Sequence, residues 1–472
     1  MQNSADIWQR VEAKQDAYIA LSDRIWGMPE LNFQETRSCA EHVAMLEAEG
    51  FRITRAVAGI PTAVMGEAGE GGPVIAILGE FDALPELSQE AGVAEHRPLP
   101  GNGPGHACGH NLLGAGAMLA ATAVKDWLAA QGLPGRVRYY GCPAEEGGAA
   151  KTFMVRDGVF ADVDAAISWH PAAFSGVTTA DSLSIQLLDF SFTGRASHAA
   201  VSPQLGRSAL DAVELMNVGV NYMREHMPSD ARIHYALLDA GGIAPNVVQA
   251  RAKVRYLIRA RELPELTRLI ERVRKVAEGA ALMTETRMES QVVSAVSNLL
   301  ANTPLEKAMH DNLQRIGPPP FDDADRAFAA KIQATLTDED IEAAYKRVGV
   351  PMQHGVSLCD QIVPLDAKSA PMMGSTDVGD VSWVVPTVQA RGATYAIGTP
   401  GHSWQLTAQG KMPAAHKGLV HVAKVMAGTA VDVMHDEVLL ARAKADHQAR
   451  VGRNPYVCPL PDDLEPPIKM SA

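Results

Sequence analysis

The sequence predicts an α/β protein: a central, mostly parallel sheet flanked by helices, with a smaller α+β domain inserted into it. Three observations carry this reading. Short apolar runs end in acidic or metal-ligating residues, a helical stretch separates the first two of them, and the texture changes to regular alternation after Asp181. Strands buried on both faces read as unbroken apolar runs, and a β, α, β order implies parallel neighbours.

Taken in order, MQNSADIWQRVEAKQDAYIAL reads as an amphipathic helix with Ile7, Val11 and Tyr18 on one side. It lacks the basic start and apolar centre of an export signal. From Val74, VIAILGEFDALP suits a central strand with chemistry at its C-terminal end, and RVRYYGCPAEEGG (136–148) and DAAISWHP (164–171) repeat that form. LLGAGAMLAATAVKDWLAA (112–130) is a helix packed through small residues. Ligands of such sheets gather outside the strand C-termini.

In the insert, SIQLLDFSFTG (184–194) alternates and GRSALDAVELMNVGVNYMREHM (206–227) is helical. VVQARAKVRYLIRA (247–260) alternates again before a helix over 262–282. Within 247–260, Val248, Ala250, Ala252, Val254, Tyr256 and Ile258 share one face, while Arg251, Lys253, Arg255 and Arg259 share the other. This predicts an antiparallel sheet with one covered face. The expected division is 1–182 and 294–472 for the first domain and 183–293 for the insert. An excursion at 316–372, rich in Pro, Asp and Ala, contains the helical DEDIEAAYKRV. The tail NPYVCPLPDDLEPPIKMSA has too many prolines for a helix or inner strand and reads as extended surface chain.

Composition narrows the class. At 472 residues the chain exceeds the ~250–300 at which single cores stop growing. A hydrophobic share of 47% with 21% charged residues is that of a globular protein, and no apolar run approaches the ~18 residues of a membrane span. The net charge of −13 disfavours nucleic acid and anionic membrane. Five unclustered cysteines form no disulfide framework, which suggests the reducing cytoplasm.

The chemistry lies in residues that are weak alone. Cys108 and His110 stand in GHACGHN just before the 112–130 helix, and a buried cysteine there is more often a small hydrophobe than a ligand. Glu145 and Glu146 are adjacent carboxylates after a strand; in isolation they read equally as a solvated turn. His170 follows AAISW, and His402 sits in the Gly- and Pro-rich GTPGHSW. Their common address at strand ends changes the balance. Cys108, His110, Glu146, His170 and His402 are candidate metal ligands, with Asp82 behind His110 fixing its tautomer. Five donors exceed the needs of one tetrahedral ion, whereas two ions ~3.5–4 Å apart would use them all. Glu145, uncoordinated, is then the base for the attacking water.

The segments PELNFQET, GEFDALP, GHACGHN, GCPAEEGG, SWHP, GRASHAA with GRSALDAV, GGIAPNVVQA, STDVGDVSW and GTPGHSWQ occur in family order across nearly the whole chain. Together they resemble the M20 metallopeptidase and amidohydrolase family, in the branch of aminoacylase-like and auxin-conjugate hydrolases. The resemblance implies a di-metal exopeptidase-like catalytic domain with an inserted dimerisation lid. It implies Cys108 as bridging ligand, Glu145 as catalytic base, and His198 of the lid reaching the partner's site to stabilise the oxyanion. Asn246 matches a substrate-contacting asparagine and Arg259 a carboxylate-binding arginine. One departure is Asn111, where much of the branch has Asp, which would remove a charge near the metals.

The implied reaction is hydrolysis of the amide bond of an N-acyl or N-aroyl amino acid, such as p-aminobenzoyl-glutamate. Arg207 is a second candidate for a substrate carboxylate, and Lys151 for a further one such as that of glutamate. Thiolate and imidazole donors suit Zn, carboxylate and water suit Mn, and the choice stays open. A homodimer through the lid or a hetero-oligomer with a sister subunit is expected. Rival readings are an aminopeptidase or dipeptidase, a thiol enzyme using Cys108, and a non-catalytic subunit.

Overall fold

The computed structural model describes residues 2–370 and 374–468. Residues 371–372 of the excursion and 469–472 of the tail lie outside the described residues. Among the described residues eleven strands form two sheets. The first contains β1 (Arg52–Arg55), β2 (Val64–Glu70), β3 (Val74–Glu80), β4 (Gly135–Cys142), β5 (Ala165–Ala172), β6 (Gly176–Val177) and β11 (Thr387–Ala393). The second contains β7 (Ser184–Thr193), β8 (Arg232–Asp239), β9 (Arg251–Ala260) and β10 (Arg287–Val296). β10 runs past the boundary expected at 293.

The first sheet has the order β1-β2-β4-β3-β5-β11-β6. Its four inner strands, β4, β3, β5 and β11, are mutually parallel, and the antiparallel β1, β2 and β6 close its edges. Both faces are buried, which explains the unbroken apolar run of β3. Ile75 and Ile77 enter one core with the helices Gln2–Trp26, His110–Gln131 and Pro413–His435, while Ala76 and Leu78 enter the other with Phe153 of the helix Ala150–Arg156. Ile7, Val11 and Tyr18 of the first helix are all fully buried.

The helix His110–Gln131 is long and apolar enough to cross a membrane, yet 83% of its most apolar window is buried inside the protein. Small residues make this possible. At Gly114 a Cβ would meet His42 and the Glu80 carbonyl, and at Gly116 it would meet Trp169, so the helix lies directly on the sheet.

The second sheet is antiparallel throughout, in the order β10-β7-β9-β8. The helices Ala209–Met223 and Leu263–Thr284 bury Val254, Tyr256 and Ile258 on one face. On the other face Lys253 and Arg255 both reach Asp189 of β7, at 2.7 Å each. The excursion forms two helices, Asp323–Gln333 and Asp338–Val348, each begun by a reciprocal capping pair, Asp322 with Asp325 and Thr337 with Asp340. Their apolar residues Ile332, Tyr345 and Val348 build a separate core with Phe174 and Ile397, which seats the excursion beside the C-terminal ends of β5 and β11. The described part of the tail forms neither helix nor strand. It is tied down where Arg156 donates to the carbonyls of Pro461 and Leu464.

Candidate active site

The parallel strands deliver their C-terminal ends to one edge, and the candidate ligands converge there. Cys108 sits in the turn before the helix His110–Gln131, made possible by Gly109 at φ +77°, where a Cβ would also meet the Pro171 ring at 2.9 Å. Glu145 and Glu146 follow β4 in a turn whose Ala144 takes φ 54°. Glu35 holds that turn, accepting hydrogen bonds from the backbone N–H groups of Ala144 and Phe33 at 2.9 Å each. His170 lies within β5, and the loop of His402 is fastened to the cysteine loop by its own N–H donating to the Ala107 carbonyl at 3.0 Å.

The donor atoms of Cys108, His110 and His170 all lie within 4.8 Å of one another, and so do those of Cys108, Glu146 and His402. Cys108 belongs to both groups. Its Sγ is 3.3 Å from His170 Nε2, and His402 Nε2 is 3.3 Å from a Glu146 oxygen. Asp82 binds His110 Nδ1 at 2.8 Å and accepts the Glu146 N–H at 2.9 Å. The Pro171 carbonyl accepts from His170 Nδ1 at 2.8 Å. Both rings thereby present Nε2 toward the cysteine. His110 Nε2 and Glu146 Oε1 are buried without a hydrogen-bond partner, as donors awaiting a cation would be.

Sequence reasoning missed Glu80 and Asp377. Glu80 Oε2 lies 3.4 Å from His110 Nε2, and Glu80, His110 and Glu145 form a third close group of donors. Glu80 Oε1 and Asp377 each pair with Lys151 Nζ at 2.6 Å, all three side chains being inaccessible to water or nearly so. Lys151 is therefore spent inside the protein and does not reach a substrate carboxylate. Its partners come from segments more than seventy residues before it and more than two hundred after it. A single sequence gives no signal of that pairing.

Asn111 also departs from expectation. Its amide is turned away toward the first helix, donating to Ser22 Oγ and the Gly410 carbonyl at 3.0 Å each. The residue is a buried donor, and an aspartate there would face the Gly410 carbonyl oxygen with no proton to give.

Electrostatics suit a base beside metal ligands. Burial, then Glu80, Glu146 and Asp377, hold the Glu145 carboxyl well above the usual carboxylate range. Burial, then the Glu146 charge, pushes the Cys108 thiol up, which makes it a poor free nucleophile. Burial alone would raise Asp82, but the His110 charge and hydrogen bond hold it down.

The remaining candidates lie on the insert. His198 and Asn246 are exposed and adjacent: His198 forms a bridge with Val247, and the Ala199 N–H donates to the Asn246 carbonyl at 2.9 Å. The His198 Nδ1 accepts from the backbone of Ala200 and Val201. Arg259 is partly buried on β9, beside Ile185 and Arg232. Arg207 is engaged with Glu285 at 2.9 Å and with the carbonyls of Gln204 and Gly206.

The description "Peptidase family M20/M25/M40" matches residues 76–406. The chain is 47% identical to a p-aminobenzoyl-glutamate hydrolase subunit of Escherichia coli over 97% of its own length and 98% of that protein. It is 28% identical to the Xaa-Arg dipeptidase of Mus musculus, covering 94% of this chain and 91% of the relative. In fold it resembles the aminobenzoyl-glutamate utilization protein of Klebsiella pneumoniae, with a TM-score of 0.57 at 18% identity over 89% of this chain and 97% of that one. It resembles equally an M20-family dinuclear metal-binding peptidase of Bacillus subtilis, with a TM-score of 0.57 at 20% identity over 88% and 98%.

Proposed function

The chain belongs to peptidase family M20/M25/M40 and is a metal-dependent amidohydrolase, and from that premise we propose that it cleaves the amide bond of an N-acyl or N-aroyl amino acid, such as p-aminobenzoyl-glutamate. The observation that carries the reading is Cys108 standing in two three-donor groups, with the Glu145 carboxylate close to His110 of the first and outside both. Cys108, His110, Glu146, His170 and His402 would hold two divalent ions, Mn or Zn. When bound, such ions polarise the scissile carbonyl and make water more acidic.

Glu145 takes the proton of the attacking water and passes it to the leaving nitrogen, so the amine departs neutral. Burial, then the charges of Glu80, Glu146 and Asp377, raises the pKa of its carboxyl, and cations held by the five ligands would lower it toward that of a working base. Asp82 fixes the His110 ring throughout. His198 of a second subunit donates to the oxyanion as it forms, and Asn246 and Arg259 orient the substrate, with Arg207 in a lesser part. Support for a shared site comes from the insert's edge strand β8, where Tyr235, Leu237 and Leu238 are exposed, as is Ile243 just after it in the chain.

A homodimer through this lid is the assembly we infer, and a hetero-oligomer with a sister subunit is the alternative, since the Escherichia coli relative is named as one subunit of a hydrolase. Unpaired cysteines, among them the buried Cys39, Cys142 and Cys359, support a cytoplasmic setting. The dipeptidase relative makes cleavage of free-amine dipeptides the second reading.

The test is release of free amino acid by Mn- and Zn-loaded protein from N-aroyl amino acids and from dipeptides. Turnover of the N-aroyl set supports the proposal, and cleavage of dipeptides alone overturns it. Glu145→Gln should bind metal normally and lose about 10²–10⁴-fold in kcat. Wild-type activity in that variant overturns the catalytic role.

A further inference from the structure

A cavity of about 100 Å³ lies between the excursion and the ends of β5 and β11, lined by Arg391, Arg347, Thr178, Asp181, Phe174 and Tyr395 among others. Arg391 pairs in register with His170 across β11 and β5, so their Cα atoms stand about one strand spacing apart, ~4.8 Å. The two side chains leave the same face of the sheet, because the next pair points the other way: a Cβ at Gly392 would meet the ring of Trp169 at 2.9 Å. The cavity therefore adjoins a candidate ligand. Tyr395 strengthens the junction, its hydroxyl donating at 3.4 Å to the Pro171 carbonyl that also holds His170.

Arg391 is the unusual member. Its Nε is buried without a hydrogen-bond partner, as is the hydroxyl of Thr178, which lines the same cavity. Burial lowers its pKa to about 10, and Asp181 offsets part of its charge. A half-buried guanidinium whose Nε is sealed from water and unmet is costly unless something supplies the acceptor. The planar fork matches a carboxylate, and the excursion brings a second guanidinium, Arg347, to the same space. The volume equals roughly three waters at ~30 Å³ each, room for a carboxylate with a methylene or two.

We propose that this cavity is the subsite for an acidic side chain on the amino-acid half of the substrate, with Arg391 as its carboxylate partner and Arg347 beside it. The inference rests on the proposed hydrolysis of N-acyl amino acids. It assigns to Arg391 the second carboxylate that Lys151, held by Glu80 and Asp377, does not reach.

The metal-loaded protein and its Arg391→Met and Arg347→Ala variants are compared on N-benzoyl-L-glutamate and N-benzoyl-L-norleucine, and titrated calorimetrically with glutarate. Wild type should prefer the acidic substrate. Arg391→Met should raise KM for it by about tenfold or more, as expected for a lost charge-assisted hydrogen bond, and leave the norleucine constants within about twofold. Glutarate binding should weaken in parallel. Equal changes on the two substrates, or unaltered glutarate binding in Arg391→Met, overturn the subsite. Should Arg391→Met fail to fold, Arg347→Ala decides on its exposed helix position, and an unchanged acid preference there overturns the proposal. If wild type cleaves neither substrate, the hydrolase reading fails and the glutarate titration alone judges the cavity.

Discussion

Asp82 holds His110 Nδ1 at 2.8 Å with one carboxylate oxygen and the Glu146 backbone N–H at 2.9 Å with the other, so a single buried acid positions two candidate ligands, one opening a helix and one in the turn after β4. Asp82→Asn keeps the shape but offers only one acceptor. One of the two groups then loses its anchor, and metal affinity should fall by about 10–100-fold, measured by competition with a chelator. Unchanged affinity would separate Asp82 from the metal centre.

Lys151 stands between two acids that need it. Lys151→Met leaves Glu80 and Asp377 buried without counter-charge, and stability should drop by about 3–5 kcal/mol in denaturant titrations. Adding Asp377→Asn should recover part of the loss. A single variant as stable as wild type would show that the pair contributes nothing to the fold.

Asn111→Asp restores the residue common in the resembled branch, yet here it should weaken the fold. The new carboxylate would be buried against the Gly410 carbonyl, at a cost of about 3 kcal/mol or more. Metal content by elemental analysis should not change, since the amide points away from the ligands.

Acid sensitivity should trace in part to His42, which is fully buried with its Nδ1 at 2.7 Å from the Tyr139 hydroxyl. Burial lowers its pKa to about 3 from an ordinary 6.5, so below pH 6.5 the unfolded chain binds a proton that the folded chain refuses. The stabilisation is complete above pH 6.5 and is lost as pH falls toward about 3, with a slope of about 1.4 kcal/mol per pH unit in that window. His42→Gln should flatten the pH dependence of stability by that amount between pH 6 and pH 4; an unchanged slope would clear His42.

The proposed sharing of the site between subunits can be tested by mixing. His198→Ala and Glu145→Gln proteins are each expected to be nearly inactive. Unfolded together and refolded, their mixed dimers contain one complete site, and about a quarter of wild-type activity should return. No recovery would mean that His198 serves its own subunit or none.

How much of this was legible in the sequence depended on burial. β3, β4 and β5 could be read because strands covered on both faces are apolar throughout, whereas β2, with the sequence VMGEAGE, and the two-residue β6 carry no such signature. The convergence of the candidate ligands was legible through their expected position at strand ends. Glu80 was not, because an acid after an apolar run reads as the place where a strand meets water, and here the strand end is roofed over by the helix Ala150–Arg156 that carries Lys151. Arg391 was hidden for a related reason. In QARGATY it looks like a polar edge position, and the structure leaves it half-buried at a cavity that the excursion also lines.

His402 differs from the other four ligand candidates in how it is held. Its backbone takes φ 55°, a region unfavourable to a side chain with a Cβ, and its imidazole is 54% exposed, while His110 is sealed beneath the sheet edge. The centre thus has a fixed wall and a gate. Relaxing that one strained residue would loosen the group it forms with Cys108 and Glu146 more than the group of Cys108, His110 and His170, so if each group holds an ion as proposed, the two ions should differ in residence time. An ion at His402 would exchange first, and elemental analysis of purified protein would then find less than two ions per chain.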